Sequence, residues 1–289
     1  MTSHQEVNPY TYELVQEIAD NLLEKVKSLG KPSVLIICGS GLQHLSKTLS
    51  DQIAISYTDI PHFPVSTVEG HAGEAVFGKI GDTVVMCMRG RFHWYEGYSQ
   101  YAVTLPVRVA KLMGAELLVV TNAAGGLNPK YNVGDIMAIE DHINWVGNAG
   151  NNPLRGPNDA RWGPRFPATG QCYTEELLDT LDEVAQELGI SKVMHRGTYM
   201  YNSGPCYETP AEARMLATFS DAVGMSTAPE AVIAHHCGMR CVGLTLVTNC
   251  VITRRDSHDI PTHDEVLGAA NKTAKDMQEL VTGLIKSAF

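Results

Sequence analysis

The sequence predicts an α/β protein, a single domain with a central mixed β-sheet flanked by helices. Short, continuous apolar runs such as 33–39 (SVLIICG) and 116–126 (ELLVVTNAAGG) have the composition of strands buried on both faces. Amphipathic segments of helical length lie between such runs, and alternating strands and helices form a mostly parallel or mixed sheet covered on both sides. No internal repeat or linker is visible, so we assign residues 1–289 to one domain.

The elements follow in chain order. Apolar positions at helical spacing before Gly30 predict a helix over residues 11–29. Residues 74–90 have the pattern of two strands joined at Gly81–Asp82, which is a hairpin signal. The later elements are helix 99–113, strand 116–126, strand 135–145, helix 173–189, strand 192–202, helix 209–219, strand 221–225, helix 228–237, strand 240–251 and a final helix from residue 263.

Residues 145–170 are rich in Asn, Gly, Pro and Arg, and we expect them to form one long ordered loop. A loop of this length in a compact domain usually carries function. Binding sites in α/β sheets collect at the carboxyl ends of strands, and the unusual residues of this chain lie there.

Composition and charge restrict the class of protein. The formal net charge of −10 at pH 7 disfavours nucleic acid and anionic membranes as partners, because both would repel the chain. Seven cysteines occur without CxxC pairs, which indicates reduced thiols and a cytoplasmic protein. We expect no signal peptide, and no apolar run approaches the roughly 20 residues of a membrane helix.

A glycine-rich turn at residues 39–41 (GSG) ends the first buried strand and offers backbone N–H groups to an anion. A dinucleotide site would need a third glycine, and a triphosphate site would contain GxxxxGK[ST]; the sequence has neither pattern. Taken alone, GSG is equally well interpreted as a tight strand-to-helix turn without a ligand.

The string 88–98 (MRGRFHWYEGY) follows another buried strand and contains Arg91, His93 and Tyr95. In an extended chain these three side chains point to one side. An arginine and an imidazole beside a GSG turn form a receptor for a small tetrahedral oxyanion. Without the other strand ends, a solvated charged loop would be the better interpretation.

Two more strand ends suit the same anion. The string 121–126 (TNAAGG) offers open backbone amides, and Ser226 precedes a helix that begins with the capping-box pattern Thr227–x–x–Glu230. Four strand ends around one anion, without a nucleotide motif, indicate that orthophosphate is a reactant.

With these motifs the chain resembles the trimeric purine nucleoside phosphorylases that act on 6-oxopurine nucleosides. The resemblance covers nearly the whole chain and rests on CGSGL, STVEGHAGEAVFG, GRFHWYEGY, VVTNAAGGLNPKYNVGDIM, NPLRGPND, GPCYET, DAVGMSTAPE and TLVTN, in that order. It implies an α/β domain of the nucleoside phosphorylase type, a homotrimer, and no metal or other cofactor. The implied reaction, a step of purine salvage, is reversible: inosine, guanosine or a deoxy form reacts with orthophosphate to give the free base and (deoxy)ribose 1-phosphate.

The resemblance implies a phosphate site built from several strand ends. Its members are Ser40, His71, Arg91, His93, the backbone amide of Ala123, and Ser226. Orthophosphate is then a co-substrate. Without the resemblance, His71 in EGHAG would be a glycine-flanked loop histidine of no evident role.

For the sugar, the resemblance implies contacts from Tyr95 and Met225 and a hydrogen bond from His263 to the 5′-hydroxyl. Phe166, in RFPATG, matches a residue that this family contributes to the sugar pocket of the neighbouring subunit. From the residues alone, His263 would be an ordinary first-turn residue of the last helix.

For the base, the resemblance implies Glu208 in GPCYET and Asn249 in LVTN. Glu208 would accept the ring N–H of a 6-oxopurine, Asn249 would accept and donate near N7 and O6, and Tyr207 would stack on the ring. The other implied contacts are Val223, Gly224, Thr248 and Val251. Alternatively, Glu208 caps a helix and Asn249 is a turn residue.

The implied chemistry needs no side-chain nucleophile. The glycosidic bond breaks through an oxocarbenium-like state, which the bound phosphate stabilises before it attacks. Asn249 stabilises the charge that grows on the purine through hydrogen bonds that strengthen as the base leaves. The residues expected to take part in catalysis are Asn249, Glu208, His93 and His263.

The sequence departs from the vertebrate pattern at Tyr207, where those enzymes have Phe, at Cys250, where they have Lys, and over residues 253–262. These differences bear on substrate preference and loop behaviour. The nearest alternative is a methylthioadenosine phosphorylase, which has Asp at the position of Asn249 and no histidine at the position of His263.

Two other interpretations stay open. A non-catalytic nucleoside- or phosphate-binding module would bind without turnover, but it does not explain a complete set of phosphate, sugar and base residues. His235–His236, or His258 with Asp259 and His263, could bind a metal, although neither group has the spacing of a zinc site.

Overall fold

A computed structural model describes residues 8–67, 72–257 and 263–289, without the side chains at 263–267 and 269–272. The helices are α1 (Tyr12–Lys25), α2 (Gln100–Met113), α3 (Glu175–Glu187), α4 (Pro210–Leu216), α5 (Ala228–His236) and α6 (His263–Ala288). The strands are β1 (Val34–Ile37), β2 (Ser50–Ser56), β3 (Glu74–Ile80), β4 (Thr83–Arg89), β5 (Leu117–Gly126), β6 (Ile136–Asn144), β7 (Met194–Tyr201), β8 (Ala222–Gly224) and β9 (Arg240–Cys250). The predicted elements are confirmed, with bounds that differ by a few residues.

The strand β2 was not predicted from the sequence. Its residues SDQIAIS are mostly exposed, and Ile55 is buried. It pairs with β3 at the edge of the sheet, where a strand needs little apolar surface. The weak apolar pattern of an edge strand therefore concealed it.

The strands form one mixed sheet in the order β2-β3-β4-β1-β5-β8-β7-β6-β9, and β9 also pairs with β5. The strands β5, β8, β7, β6 and β9 thus close into a ring. The hairpin predicted at Gly81–Asp82 is confirmed, because β3 and β4 pair antiparallel from Glu74↔Arg89 to Ile80↔Thr83. The mixed sheet of the predicted fold class is confirmed as well.

Helices cover the sheet with apolar faces. In α1 the buried positions Val15, Ile18, Ala19 and Leu22 recur at helical spacing, and the side chain of Thr11 caps the helix by accepting from the N–H of Leu14. Truncating a fully buried leucine such as Leu22 to alanine typically costs about 2–5 kcal/mol of unfolding free energy. Burial of one face therefore holds α1 against its neighbours, chiefly α2.

The directions of the strands bring several loops to one edge of the sheet. The strand β1 is parallel to β4 and to β5, and β5 is parallel to β9, so the carboxyl ends of these strands lie together. The short strand β8 pairs antiparallel with β5 and brings Val223 beside Gly125. Segments from five strands therefore meet around the end of β5.

The long loop predicted from residue 145 is present and is anchored by two histidines of α5. The ring of His236 bonds the carbonyl of Pro164 at 3.0 Å, and that of His235 bonds the carbonyl of Ala168 at 2.8 Å. Phe166 lies between these two anchors, and its residue is 86% exposed. The side chain of Phe166 is therefore directed to solvent and packs little against its own chain.

Candidate active site

A cavity of about 300 Å³ lies where the ends of β1, β4, β5, β8 and β9 meet. It is lined by Gly39, Ser40, Arg91, His93, Tyr95, Asn122, Ala123, Ala124, Gly125, Pro205, Tyr207, Glu208, Val223, Gly224, Met225, Ser226, Thr248 and Asn249. Residues from the predicted phosphate, sugar and base sets therefore share one cavity.

The glycine-rich turn after β1 packs directly against β5. A Cβ on Gly39 would lie 2.7 Å from Cα of Asn122 and 2.8 Å from the carbonyl oxygen of Thr121, so glycine is required there. The N–H of Gly39 donates to the hydroxyl of Thr121 at 3.2 Å. This close approach brings Ser40 beside the backbone of β5.

Arg91 is held in a fixed orientation by two buried partners. Its Nε and Nη2 donate to Oε1 of Glu230 at 3.1 and 3.0 Å, and its Nη1 donates to the carbonyl of Thr121 at 2.7 Å. The side chains of Arg91 and Glu230 are only 2% and 1% exposed. Because these hydrogen bonds fix both side chains, the pair defines the geometry of this end of the cavity. Removing one partner would leave the other as an uncompensated buried charge.

Glu230 also organises the start of α5. Its Oε2 accepts from the N–H of Thr227 at 2.7 Å, and the predicted capping box is confirmed. Thr227 has a φ of +74°, which is a strained value for a residue other than glycine. Asn122 holds it further by donating from Nδ2 to the hydroxyl of Thr227 at 2.9 Å.

His93 is paired with Glu96 in the turn after β4. Its Nδ1 lies 2.8 Å from Oε1 of Glu96, whose Oε2 accepts from the N–H and the hydroxyl of Thr67 at 2.8 and 2.6 Å. Burial lowers the pKa of His93, although the hydrogen bond to Glu96 opposes that shift. Burial would raise the pKa of Glu96, but its hydrogen bonds with His93 and Thr67 outweigh burial and lower the pKa to about 2.

The chain is extended at His93 but turns directly afterwards, at residues 94–96, so the predicted extended stretch ends earlier than expected. The rings of His93 and Tyr95 nevertheless stack, with centroids 4.6 Å apart. Arg91, His93 and Tyr95 therefore all line the cavity, as the predicted one-sided arrangement requires.

Ser226 is positioned by a buried tyrosine of β7. Its N–H donates to the phenolic oxygen of Tyr199 at 3.4 Å. Burial raises the pKa of Tyr199 to about 12, so the phenol stays protonated at neutral pH. Ser226 and Ala123 face the cavity from opposite elements, β8–α5 and β5.

Asn249 is directed into the cavity by an irregularity in the pairing of β9 with β5. Ala124 pairs with Val247 and Gly125 pairs with Asn249, so Thr248 is an extra residue on β9. Such bulges change the direction of side chains and are frequent beside active sites. The hydroxyl of Thr248 donates to the carbonyl of Ala124 and lies 3.3 Å from Oδ1 of Asn249.

Glu208 lies in the loop between β7 and α4. Its Oε1 accepts from Nδ2 of Asn202 at 3.0 Å. Tyr207, its neighbour, lines the same cavity and is 42% exposed. Hydrogen-bonding groups of Glu208 and Asn249 therefore share a cavity with an aromatic ring.

Four predicted residues are not among the lining residues. Val251 lies next to Gly125, since its Cγ2 would be 2.6 Å from a Cβ on that glycine. Phe166 is on the exposed loop. His71 lies outside the described residues, as does the side chain of His263, whose backbone begins α6.

Sequence reasoning overlooked several groups that shape the cavity. The sequence identified Glu230 as a capping residue but not as the partner of Arg91. These two residues are 139 positions apart, so no local sequence pattern indicates their hydrogen bond. Asn122 lies inside the quoted TNAAGG string, and its Oδ1 has no hydrogen-bond partner among the described residues. Glu96 lies three residues after His93, and that spacing was the available sign of their pairing.

Within the described part of the chain, no group of three or more His, Cys, Asp or Glu side chains is placed to hold a metal ion. His235 and His236 instead bond loop carbonyls, and the alternative site with His258 and Asp259 lies outside the described residues. No helix in the described residues is long and apolar enough to span a membrane.

The chain matches the model of the phosphorylase superfamily over residues 33–286. This match identifies the class of enzyme to which the fold and cavity belong. Purine nucleoside phosphorylase of Bos taurus is 47% identical over 281 residues, which are 97% of this chain and 96% of the relative.

Solved structures agree with this match. A crystal structure of Schistosoma mansoni purine nucleoside phosphorylase in complex with adenosine has a TM-score of 0.92 and 43% identity, and the match covers 96% of this chain and 98% of that one. The complex of the same enzyme with inosine has a TM-score of 0.91, at the same identity and coverage. The chain therefore belongs to the purine nucleoside phosphorylase family.

Proposed function

We propose that this enzyme catalyses the reversible phosphorolysis of 6-oxopurine nucleosides. Inosine, guanosine or their deoxy forms react with orthophosphate to give the free purine and (deoxy)ribose 1-phosphate. The observation that supports this proposal is a single cavity with an arginine–histidine end and a glutamate–asparagine end. The similar enzyme of Schistosoma mansoni has been crystallised with inosine.

At the first end, the proposed phosphate contacts are Ser40, Arg91, His93, the amide of Ala123, and Ser226. Arg91 can bind a phosphate oxygen without reorganising, because Glu230 and Thr121 already fix its guanidinium. Preorganised donors of this kind stabilise developing charge more than mobile ones do. His71 belongs to the same proposal, although it lies outside the described residues.

At the second end, Glu208 accepts the N–H at position 1 of the purine and Asn249 bonds near N7 and O6. As the glycosidic bond breaks, positive charge grows on the ribose, where phosphate stabilises it, and negative charge grows on the purine, where Asn249 stabilises it. Tyr207, Val223 and Gly224 surround the base. Orthophosphate is the co-substrate, and no metal or other cofactor takes part.

The sugar lies between the two ends. Tyr95 and Met225 line the cavity. We propose that they contact the ribose, with Thr248 and Val251 supporting the base side. His263 holds the 5′-hydroxyl, in a part of α6 whose side chains are not described. The catalytic residues of this proposal are Asn249, Glu208, His93 and His263.

We also propose a homotrimer in which Phe166 completes the sugar pocket of a neighbouring subunit. A phenylalanine that is 86% exposed on a loop anchored on both sides supports this assembly. We further propose that residues 1–289 form one domain and that the enzyme acts in purine salvage in the cytoplasm. The seven free cysteines support that location.

A direct assay tests the reaction. The enzyme is incubated with inosine, with and without phosphate, and hypoxanthine and ribose 1-phosphate are quantified. We expect both products in equal amounts and only with phosphate. Equal release of hypoxanthine without phosphate would identify a hydrolase, and binding without turnover would identify a non-catalytic module. Preferential cleavage of methylthioadenosine would support the alternative phosphorylase.

A further inference from the structure

Asn202 lies directly after β7 and bonds the carboxylate of Glu208. Its Nδ2 donates to Oε1 of Glu208 at 3.0 Å. Within the described part of the chain, no other hydrogen bond reaches this carboxylate. Asn202 does not line the cavity of the candidate active site, so it meets Glu208 from outside that cavity.

Asn202 is itself fixed at two further atoms. Its backbone N–H donates to the carbonyl of Gly224 at 2.9 Å, which ties it to the end of β8. Its Oδ1 accepts from the N–H of Ser203 at 2.9 Å. Because Oδ1 already has a donor, the side-chain amide group is oriented so that Nδ2 is directed at Glu208.

This contact affects how Glu208 can meet a base. A carboxylate offers two oxygens, and a donor on Oε1 fixes the rotation of the carboxylate and leaves Oε2 for a ligand. A 6-oxopurine has a donor N–H at position 1, whereas adenine has an acceptor nitrogen there. An oriented, ionised carboxylate therefore favours the first base and disfavours the second.

We infer that Asn202 is a positioning residue that orients Glu208 and thereby sets the preference for 6-oxopurines over 6-aminopurines. This inference rests on the proposed role of Glu208 in base recognition. Asn202 acts through Glu208 and touches no reacting atom.

The first test is Asn202→Ala, which removes the donor. We expect KM for inosine to rise about tenfold, because a hydrogen bond to a charged group is lost. We expect kcat for inosine and KM for phosphate to stay within twofold, because neither depends on the orientation of Glu208. We expect kcat/KM for adenosine not to fall, because the oriented carboxylate does not favour adenine. A uniform loss across both nucleosides and phosphate, with a lower Tm, would overturn the inference in favour of a merely structural role.

The second test is Asn202→Asp, which keeps the size of the side chain and the acceptor for Ser203 but faces Glu208 with a second carboxylate. Two carboxylates at this distance share a proton, so the pair ionises fully only at high pH. We expect KM for inosine to be raised most at pH 8 and to approach that of the wild type toward pH 6. A pH-independent KM for inosine in this variant would contradict the inference.

Other ionisable groups face this region and are unchanged by Asn202→Asp. Glu212 of α4 lines a small cavity together with Asn202, and the active-site cavity contains Arg91, His93, Tyr95 and Tyr207. To account for the titration of these groups, KM for inosine is also measured over the same pH range for the wild type and for Asn151→Asp. The second variant adds a charge outside both cavities.

Glu208→Ala separates the inference from the proposed function. If Glu208→Ala leaves KM for inosine unchanged, the proposed base contact fails and the inference about Asn202 fails with it. If Glu208→Ala raises KM for inosine and Asn202→Ala does not, the base contact stands and the inference is overturned. In the expected case the double variant is no worse than Glu208→Ala alone, because Asn202 acts through that carboxylate.

Discussion

The two ends of the cavity are built differently. At the arginine end, Arg91 and Glu230 are almost completely buried and are bonded to each other, to β5 and to the start of α5. At the base end, Tyr207 is 42% exposed, and Glu208 has one side-chain partner, Asn202, within the described residues. The arginine end is thus part of the core, whereas the base end, where Glu208 and Asn249 are half-buried, is more open to solvent.

The two ends should therefore respond differently to substitution. A buried network of charges contributes to stability as well as to binding, so changes there affect folding and turnover together. Groups at a half-open surface contribute little to folding, so changes there alter which base is accepted. The four variants below test this separation.

Asn249→Asp should produce the largest change, and it should be a change of specificity. An Asp would accept from the amino group of adenine and would face the oxo group of inosine with an unpaired charge. A polar site discriminates by a factor of roughly 10⁴ in kcat/KM against a substrate that leaves its polar groups without partners. We therefore expect kcat/KM to fall sharply for inosine and to rise for adenosine. Both are measured at saturating phosphate, with Asn151→Asp as the control. A ratio that stays within a few-fold would show that Asn249 does not select the base.

Arg91→Ala should reduce stability and phosphate binding together. The buried carboxylate of Glu230 loses its counter-ion, which typically costs about 3–5 kcal/mol of unfolding free energy. We also expect KM for phosphate to rise, because a charge-assisted contact with phosphate is lost. The rise should correspond to about 1.5–3 kcal/mol of binding free energy. Urea denaturation and phosphate titration measure the two effects.

Arg89→Ala is the matched control for Arg91→Ala. Arg89 pairs with Glu74 at 2.7 Å, but its side chain is 32% exposed, and such pairs contribute about 0–1 kcal/mol. Equal losses of stability in the two variants would remove the distinction between a core end and a more open end. Unchanged phosphate affinity and full turnover in Arg91→Ala would refute its proposed role.

Phe166→Ala should weaken nucleoside binding while leaving the fold intact, because the side chain is exposed on its own chain. We expect KM for inosine to rise about tenfold, as for an aromatic anchor removed from an interface pocket. Phe219→Ala is the control, since Phe219 is also exposed, at 68%, and lies outside the cavity. Sedimentation measures the assembly, and a fully active monomer would contradict the proposed trimer.

Glu96→Gln should lower stability near neutral pH, and the difference from the wild type should disappear only at low pH. The folded chain holds the pKa of Glu96 at about 2, below its ordinary value of 4.5, so the ionised carboxylate stabilises the folded state. That contribution is fully present above pH 4.5 and is lost as pH falls through about 2. We expect the stability advantage of the wild type over the variant to shrink over this interval in acid denaturation. A constant advantage would show that the pair with His93 does not depend on the charge of Glu96.

Much of the fold and of the candidate site follows from local sequence. The buried strands, the hairpin at Gly81–Asp82 and the capping box at Thr227 each leave a pattern within a few residues, because backbone geometry and burial periodicity are local properties. The GSG turn and the Arg91–His93 spacing identified one end of the cavity before any contact was visible. The strand β2 was missed because an exposed edge strand has no apolar pattern to detect.

Only the tertiary structure decided which groups meet. The pairing of β9 with β5 closes the ring of strands, and the extra residue Thr248 directs Asn249 into the cavity. Arg91 finds Glu230 from 139 residues away, and Asn202 turns its amide toward Glu208 because Gly224 and Ser203 fix it from elsewhere. Sequence spacing determines which face or turn a residue occupies, whereas the partner of a buried charge depends on how distant elements pack, and no local pattern encodes that packing.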